Sequence, residues 1–271
     1  MYCAVLKQEM EVTEEVLVID STFLEREVIC SLMIPDGFDE LRQINLLLLN
    51  DGQEVENLHL NQTLTKLYTH QQIAPTLVAA IHAGERIQEY GTAGNPDFKG
   101  RGTKAEAYTS FITQELVPKL QELIGMKTFG TIAFAGFSLG GLSALDIAWN
   151  NPQLFDKVGA FSGSFWWRSK DLAEGYCDEN DRIMHKIIRQ KQYQPELKFW
   201  FQTGTKDETA DRNKNYIIDS MDDTVDLIKT LENKGYNRKK DIQYLEIING
   251  KHNVETWAKA MPKFLCWAFG Q

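Results

Sequence analysis

Cysteine is sparse in this chain, and its placement excludes two organising principles. The four cysteines, Cys3, Cys30, Cys177 and Cys266, are scattered and form no C-x-x-C pair. Neither a zinc site nor a disulfide scaffold is indicated, and buried thiols acting as small hydrophobes are the expectation. Excess positive charge is also missing. Lys and Arg number 29 against 38 Asp and Glu, for a formal net charge of −9. Such a surface repels polyphosphates, so no nucleic-acid partner is expected. The opening stretch MYCAVLKQEMEVTEEVLVID lacks a basic segment followed by an apolar core, so it does not read as a signal peptide. No apolar run is long enough to span a bilayer, and INLLLLN has only the length of a strand. These absences predict a cytoplasmic chain with no membrane partner. Linkers, low-complexity tracts and repeats are lacking as well, which predicts one domain over residues 1–271. Oligomeric state is not written in the sequence.

What is present is alternation. Strands are expected at 14–20, 26–34, 44–50 and 75–82, with Pro35-Asp36-Gly37 as a turn. The run over 44–50 is apolar throughout, as in a sheet buried on both faces. Thr103 and Glu106 are spaced as a capping box ahead of a long helix, with Tyr108, Phe111, Ile112, Leu116 and Leu120 near helical spacing. Pro118 predicts a bend in its last turns. Further strands are expected at 131–136, 157–163, 196–204 and 241–248. Helices are expected at 139–150, 181–192, 223–235 and 254–269. The fold class is therefore α/β, a mostly parallel sheet with helices on both faces, with ligands beyond the carboxyl ends of the strands.

One of those ends carries chemistry. Gly136-Phe137-Ser138-Leu139-Gly140 is G-x-S-x-G between a strand and a helix. This is the pattern of a nucleophile elbow, where only small neighbours let strand and helix close on a strained serine. A serine needs a base, and the base an orienting carboxylate. In α/β-hydrolases the chain order is serine, acid, histidine. His59, His70 and His82 precede Ser138, and His185 precedes the strand expected to supply the acid, which leaves His252. The acid should follow the strand ending at Gly204. Asp207 is the first choice and Glu208 the second. Oxyanion donors are expected from the N–H of Leu139 and, through the turn Asn50-Asp51-Gly52-Gln53, from that of Gln53. Arg86 and Glu89 fall on the same face, either paired with each other or touching substrate. Trp166 and Trp167 follow the strand 157–163, and one of the two is expected to line the site. Finally, Asp211, Asn213, Asn215, Asp219 and Asp222 occupy positions 1, 3, 5, 9 and 12 of an EF-hand-like spacing, with Tyr216 where glycine is usual. A calcium ion there would be structural.

LLLLNDGQ (46–53), GERIQEY (84–90), GRGTKAEAYTSFITQELVPKL (100–120), GFSLGG (136–141), AFSGSFWW (160–167), TGTKDE (203–208) and GKHNVETWAKAMPKFLCW (250–267) together resemble the esterase D / enterochelin esterase-like group of α/β-hydrolases. The resemblance implies Ser138 as nucleophile, His252 as base, Asp207 or Glu208 as acid, and Gln53 and Leu139 as oxyanion donors. It implies hydrolysis of a small-molecule ester without a cofactor, on a siderophore, feruloyl or carbohydrate ester. An acyltransferase or a thioesterase resembling S-formylglutathione hydrolase would use the same residues. A non-catalytic binding protein would be expected to have lost one of them.

Overall fold

The computed structural model describes residues 11–37 and 43–271. Eight strands form one sheet: β1 (Val12–Ser21), β2 (Arg26–Pro35), β3 (Asn45–Asn50), β4 (Thr76–Ile81), β5 (Ile132–Phe137), β6 (Lys157–Phe161), β7 (Lys198–Lys206) and β8 (Ile242–Lys251). Their order across the sheet is β1-β2-β4-β3-β5-β6-β7-β8. β2 runs antiparallel to β1 and β4, and every other pairing is parallel. The helices are α1 (Leu60–Thr69), α2 (Arg86–Glu89), α3 (Ala105–Ser110), α4 (Val117–Leu123), α5 (Leu139–Asn150), α6 (Asp178–Asp181), α7 (Ile183–Gln190), α8 (Asp219–Lys234) and α9 (Val254–Phe269).

The four leucines of β3 explain how the sheet is held. Side chains alternate across a strand. Leu46 and Leu48 join one buried cluster with Tyr108, Leu142, Ile188 and Leu227, whereas Leu47 and Leu49 join a second with Leu60, Leu64, Met261 and Phe264. The sheet therefore separates two cores, one under α3, α5, α7 and α8 and the other under α1 and α9. All four leucines are fully buried. At about 1.5–3 kcal/mol for each buried side chain, such a strand is fixed by burial on both faces.

Several elements depart from expectation. The capping box does not form: α3 begins at Ala105 without a side-chain cap, and the Thr103 hydroxyl donates instead to Gln88 Oε1 at 2.7 Å. The bend expected at Pro118 becomes a π-helical segment, Phe111–Leu116, directly before it. Proline cannot donate to the preceding turn, and the wider turn absorbs that loss. The expected helix 181–192 breaks at Arg182, between α6 and α7. Helix α8 starts at Asp219, four residues before the expected start, because its second residue finds an external cap described below. Helix α1 was not expected. Its buried Leu60, Leu64, Leu67 and Tyr68 are at helical spacing, but the run is short and has no N-cap side chain.

Candidate active site

Ser138 stands between β5 and α5 with φ 53° and ψ −120°. A serine holds that conformation only where its surroundings impose it. Here its N–H donates to Phe161 O at 2.8 Å, and its carbonyl accepts from Ser164, Gly141 and Leu142. The closeness of strand and helix is visible at Gly136. A methyl group there would lie 2.4 Å from the Gly140 carbonyl oxygen. The end of β3 is tied to the same elbow. Asn50 Nδ2 donates to Gly140 O at 2.8 Å, and the Tyr108 hydroxyl donates to Asn50 Oδ1 at 2.6 Å.

Leu139 is the first residue of α5, so its N–H has no intrahelical acceptor. Gln53 lies in the short 3-10 helix Gly52–Glu54, and its N–H donates to no acceptor among the described residues. Gly52 is required here by contact: a methyl group would fall 2.3 Å from Ala80 O. The preceding Asp51 has a left-handed backbone, φ 62°. Its carboxylate is gripped by Arg86, through Nε at 2.7 Å and Nη2 at 2.9 Å. This corrects the pairing considered above. Arg86 does not pair with Glu89, which instead holds Arg26 Nε and Nη2 at 2.7 and 2.6 Å. Arg86, Asp51, Gln53 and Trp257 line a cavity of about 200 Å³.

The neighbouring cleft, about 280 Å³, is lined by Ser138, Asp207, Glu208 and His252, with Ser162, Ser164 and Trp166 among its walls. The structure thus brings the predicted serine, histidine and both candidate acids to one place. The two acids differ in what they touch. Asp207 Oδ2 accepts from Gly204 N at 3.1 Å, while its Oδ1 is buried with no hydrogen-bond partner. Glu208 accepts from Ser220 N at 2.6 Å, which makes it the cap of α8. Burial raises the proton affinity of both. For Asp207 the Gly204 amide, the Ser162 hydroxyl and His252 act against it.

His252 follows β8 and packs edge-on against Trp257, centroids 5.4 Å apart. The residue is exposed to solvent. The part enclosed in the cleft still holds its pKa below the ordinary 6.5; Asp207 pulls it up and Arg86 pushes it further down. The hydrogen-bond partner of Ser138 Oγ is the Ser164 hydroxyl at 3.2 Å, and no hydrogen bond joins Ser138 to His252. Hydrogen bonds of this kind often tighten only when substrate is bound.

Trp166 is half-buried in the cleft, and Arg101 lies 5.0 Å over its ring. Trp167 is fully buried and donates to Asn95 O. The 211–222 segment is tied by its own hydrogen bonds. Asp211 accepts the N–H groups of Asn215 and Tyr216, Asp219 faces Arg212, and Asp222 accepts the side-chain amides of Asn213 and Asn215. Among the described residues no group of three or more His, Cys, Asp or Glu side chains is placed to hold a metal. Without an ion, the residues of the calcium spacing close a polar turn by their own hydrogen bonds. Sequence reasoning passed over Asn50, Ser162 and Ser164. Ser162 and Ser164 lie in AFSGSFWW, whose repeated serine next to a strand end was the available signal.

A sheet in this order, with a strained serine at the turn after β5, defines an α/β-hydrolase. More particularly, the chain belongs to the esterase family whose model, described as "Putative esterase", matches residues 21–268. Relatives of known sequence include the uncharacterized protein YjcH of Bacillus subtilis, 21% identical over 86% of this chain and 88% of that one. They also include a siderophore enterobactin esterase of Emericella nidulans, 31% identical over 32% of this chain and 28% of that one. Among solved structures, the enterobactin esterase FES from Shigella flexneri superposes with TM-score 0.75 at 19% identity, covering 96% of this chain and 60% of that one. A ferulic acid esterase superposes with TM-score 0.70 at 17% identity, covering 97% and 99%. At these identities the structural likeness establishes the fold. The chain spans 60% of that FES, and its match to the Emericella enzyme covers 28% of that protein. No helix among the described residues is long and apolar enough to cross a membrane.

Proposed function

We propose that the chain hydrolyses carboxylic esters through a covalent acyl-enzyme on Ser138. The observation that carries this reading is the strained turn at Ser138, opening into the cleft that also holds Asp207 and His252. In the proposed reaction His252 takes the Ser138 proton as Oγ attacks the ester carbonyl. The carbonyl oxygen becomes negative and is received by the N–H groups of Leu139 and Gln53. Asp207 orients and stabilises the protonated His252, for which its unpartnered Oδ1 is the free acceptor. Glu208 is set aside from this role because its carboxylate caps α8. His252 then returns the proton to the departing alcohol, and water repeats the sequence on the acyl-enzyme.

The acyl group proposed is aromatic, as in a siderophore or feruloyl ester. Trp166 offers a flat apolar face in the cleft, and the structural neighbours are enterobactin and ferulic acid esterases. Ser138→Ala should lower hydrolysis of p-nitrophenyl esters about 10⁴-fold or more and abolish labelling by a fluorophosphonate. A variant that keeps its activity sinks the reading. A panel of catecholoyl, feruloyl, acetyl-sugar and thioester substrates then ranks the acyl group, and added alcohols reveal any transfer.

A further inference from the structure

The turn that follows β6, Ser162-Gly163-Ser164, has no part in the mechanism above, yet both hydroxyls face it. Ser162 and Ser164 are buried, with 2% and 3% of their surface exposed. Ser162 has φ 47°, a strained value for a serine, and its N–H is fastened to Gln202 O at 2.7 Å. The indole of Trp257 is a donor only, and it gives its hydrogen to Ser162 Oγ at 3.0 Å. The hydrogen of Ser162 itself must therefore point elsewhere. In the same cleft lies the buried Oδ1 of Asp207, without a partner. The Ser162 hydroxyl is also among the groups that favour the ionised form of Asp207. Ser164 meets the nucleophile twice, through its N–H to Ser138 O at 3.0 Å and through Oγ to Oγ at 3.2 Å.

We propose that this turn is a brace with two hydroxyls of different function: Ser164 donates to Oγ of Ser138, and Ser162 donates to Asp207. The inference rests on the serine-hydrolase reading. With Ser164 as donor, the hydrogen of Ser138 is left for His252. During acylation the Ser138 O–H bond breaks, its proton passes to His252, and the Oγ–carbon bond forms. Ser164 stabilises the charge gathering on Oγ. During deacylation water attacks the acyl carbon and gives a proton to His252. The Oγ–carbon bond then breaks and Oγ recovers that proton, again with charge gathering on the oxygen Ser164 touches. Ser164 keeps its own proton throughout. Ser162 is a positioning residue that acts through Asp207. The charged and titratable groups around this pair are few. His252 faces Arg86 and Asp207, Asp207 lies near Tyr244, and Glu208 is turned to α8.

The test uses the full chain and p-nitrophenyl acetate, with folding checked by thermal melting. Ser164→Ala should lose about 10- to 100-fold in kcat/KM, the size of a hydrogen bond to a charged atom, with the acid limb of the pH profile unmoved. Ser164→Cys, of similar volume and a weaker donor, should lose in the same direction if the alanine variant does not fold. Ser162→Ala should move the acid limb to higher pH, because the Asp207–His252 pair then holds its proton more firmly. Ser162→Gly, which suits the backbone there, repeats that test if alanine is not tolerated. Folded Ser164 variants within twofold of the parent, or an unmoved limb in the Ser162 variants, overturn the brace. If the parent is labelled by a fluorophosphonate and Ser138→Ala is inactive, that failure belongs to the brace alone. If the parent neither reacts with the probe nor cleaves the ester, both readings fall together.

Discussion

The two sides of the cleft are built differently. On the side of the proposed nucleophile, Ser138, Asn50, Asp51 and Arg86 sit in a web of short hydrogen bonds, and glycines stand where no methyl group fits. On the side of the proposed acid and base, Asp207 has an oxygen without a hydrogen-bond partner, His252 is exposed, and the chain beyond Glu208 reaches Tyr216, which is 99% exposed. In the proposed reaction the first side must present one atom at a fixed angle, and packing can do that. The second must accept and release protons, which requires groups whose partners are not already saturated.

The sharpest way to break this contrast is to treat the adjacent carboxylates alike. Asp207→Asn should cut kcat about 10³- to 10⁴-fold while leaving the melting temperature near that of the parent. Glu208→Gln should do the reverse, costing about 1 kcal/mol of stability as a weakened helix cap and changing kcat only a few-fold. Steady-state kinetics and melting curves on both variants check this, and an exchange of the two phenotypes would reassign the acid. Next in size is Gly136→Ala on the packed side. The added methyl meets Gly140 O, so about 3 kcal/mol of stability should be lost in a urea titration. An unchanged midpoint would show that this side is softer than described.

A smaller effect separates charge from packing. In the proposed reaction His252 must be neutral to act as base, so activity should fall as pH drops through a His252 pKa that burial holds below the ordinary value. Arg86 contributes to that depression, so Arg86→Met should shift the acid limb of kcat/KM upward in pH. A downward shift, or none, would refute this electrostatic account. The smallest expected effect is that of calcium. Added calcium or a chelator should leave the melting temperature within about 1 °C of the untreated protein, the shift expected of a ligand that does not bind. A rise of several degrees would mean that the 211–222 turn rearranges around an ion.

The same contrast governs how much was legible in the sequence. The strand runs, the elbow and the turn at Gly52 are written as residue types, because sterics there admit few alternatives. Ser138, Gln53, His252 and, as alternatives, Asp207 and Glu208 could therefore be named as candidates before any geometry. The proposed preference for Asp207 over Glu208 rests on the position of the α8 N-terminus, which local spacing does not encode. Helix α1 was missed because its apolar face is carried by four residues among polar ones, and its stability comes from packing on β3 and α9 rather than from propensity. The spacing of Asp211, Asn213, Asn215 and Asp222 admits two readings for a related reason. Alternating Asp and Asn serve equally well to close a turn on its own backbone. Arg86 was expected either to pair with Glu89 or to touch substrate; the pairing fails, since Asp51 and Glu89 lie at distances that only the folded loop reveals.

The bond from Ser220 to Glu208 has an architectural consequence. It fastens both ends of the segment 209–219 beside the cleft, like a handle riveted at its base. The outer part of that handle, Asn213 to Ile217, is exposed. Doubling the length of such a loop costs only about 0.6 kcal/mol in closure entropy. The handle can therefore lengthen, shorten or change its side chains while Asp207, one residue before the rivet, keeps its place.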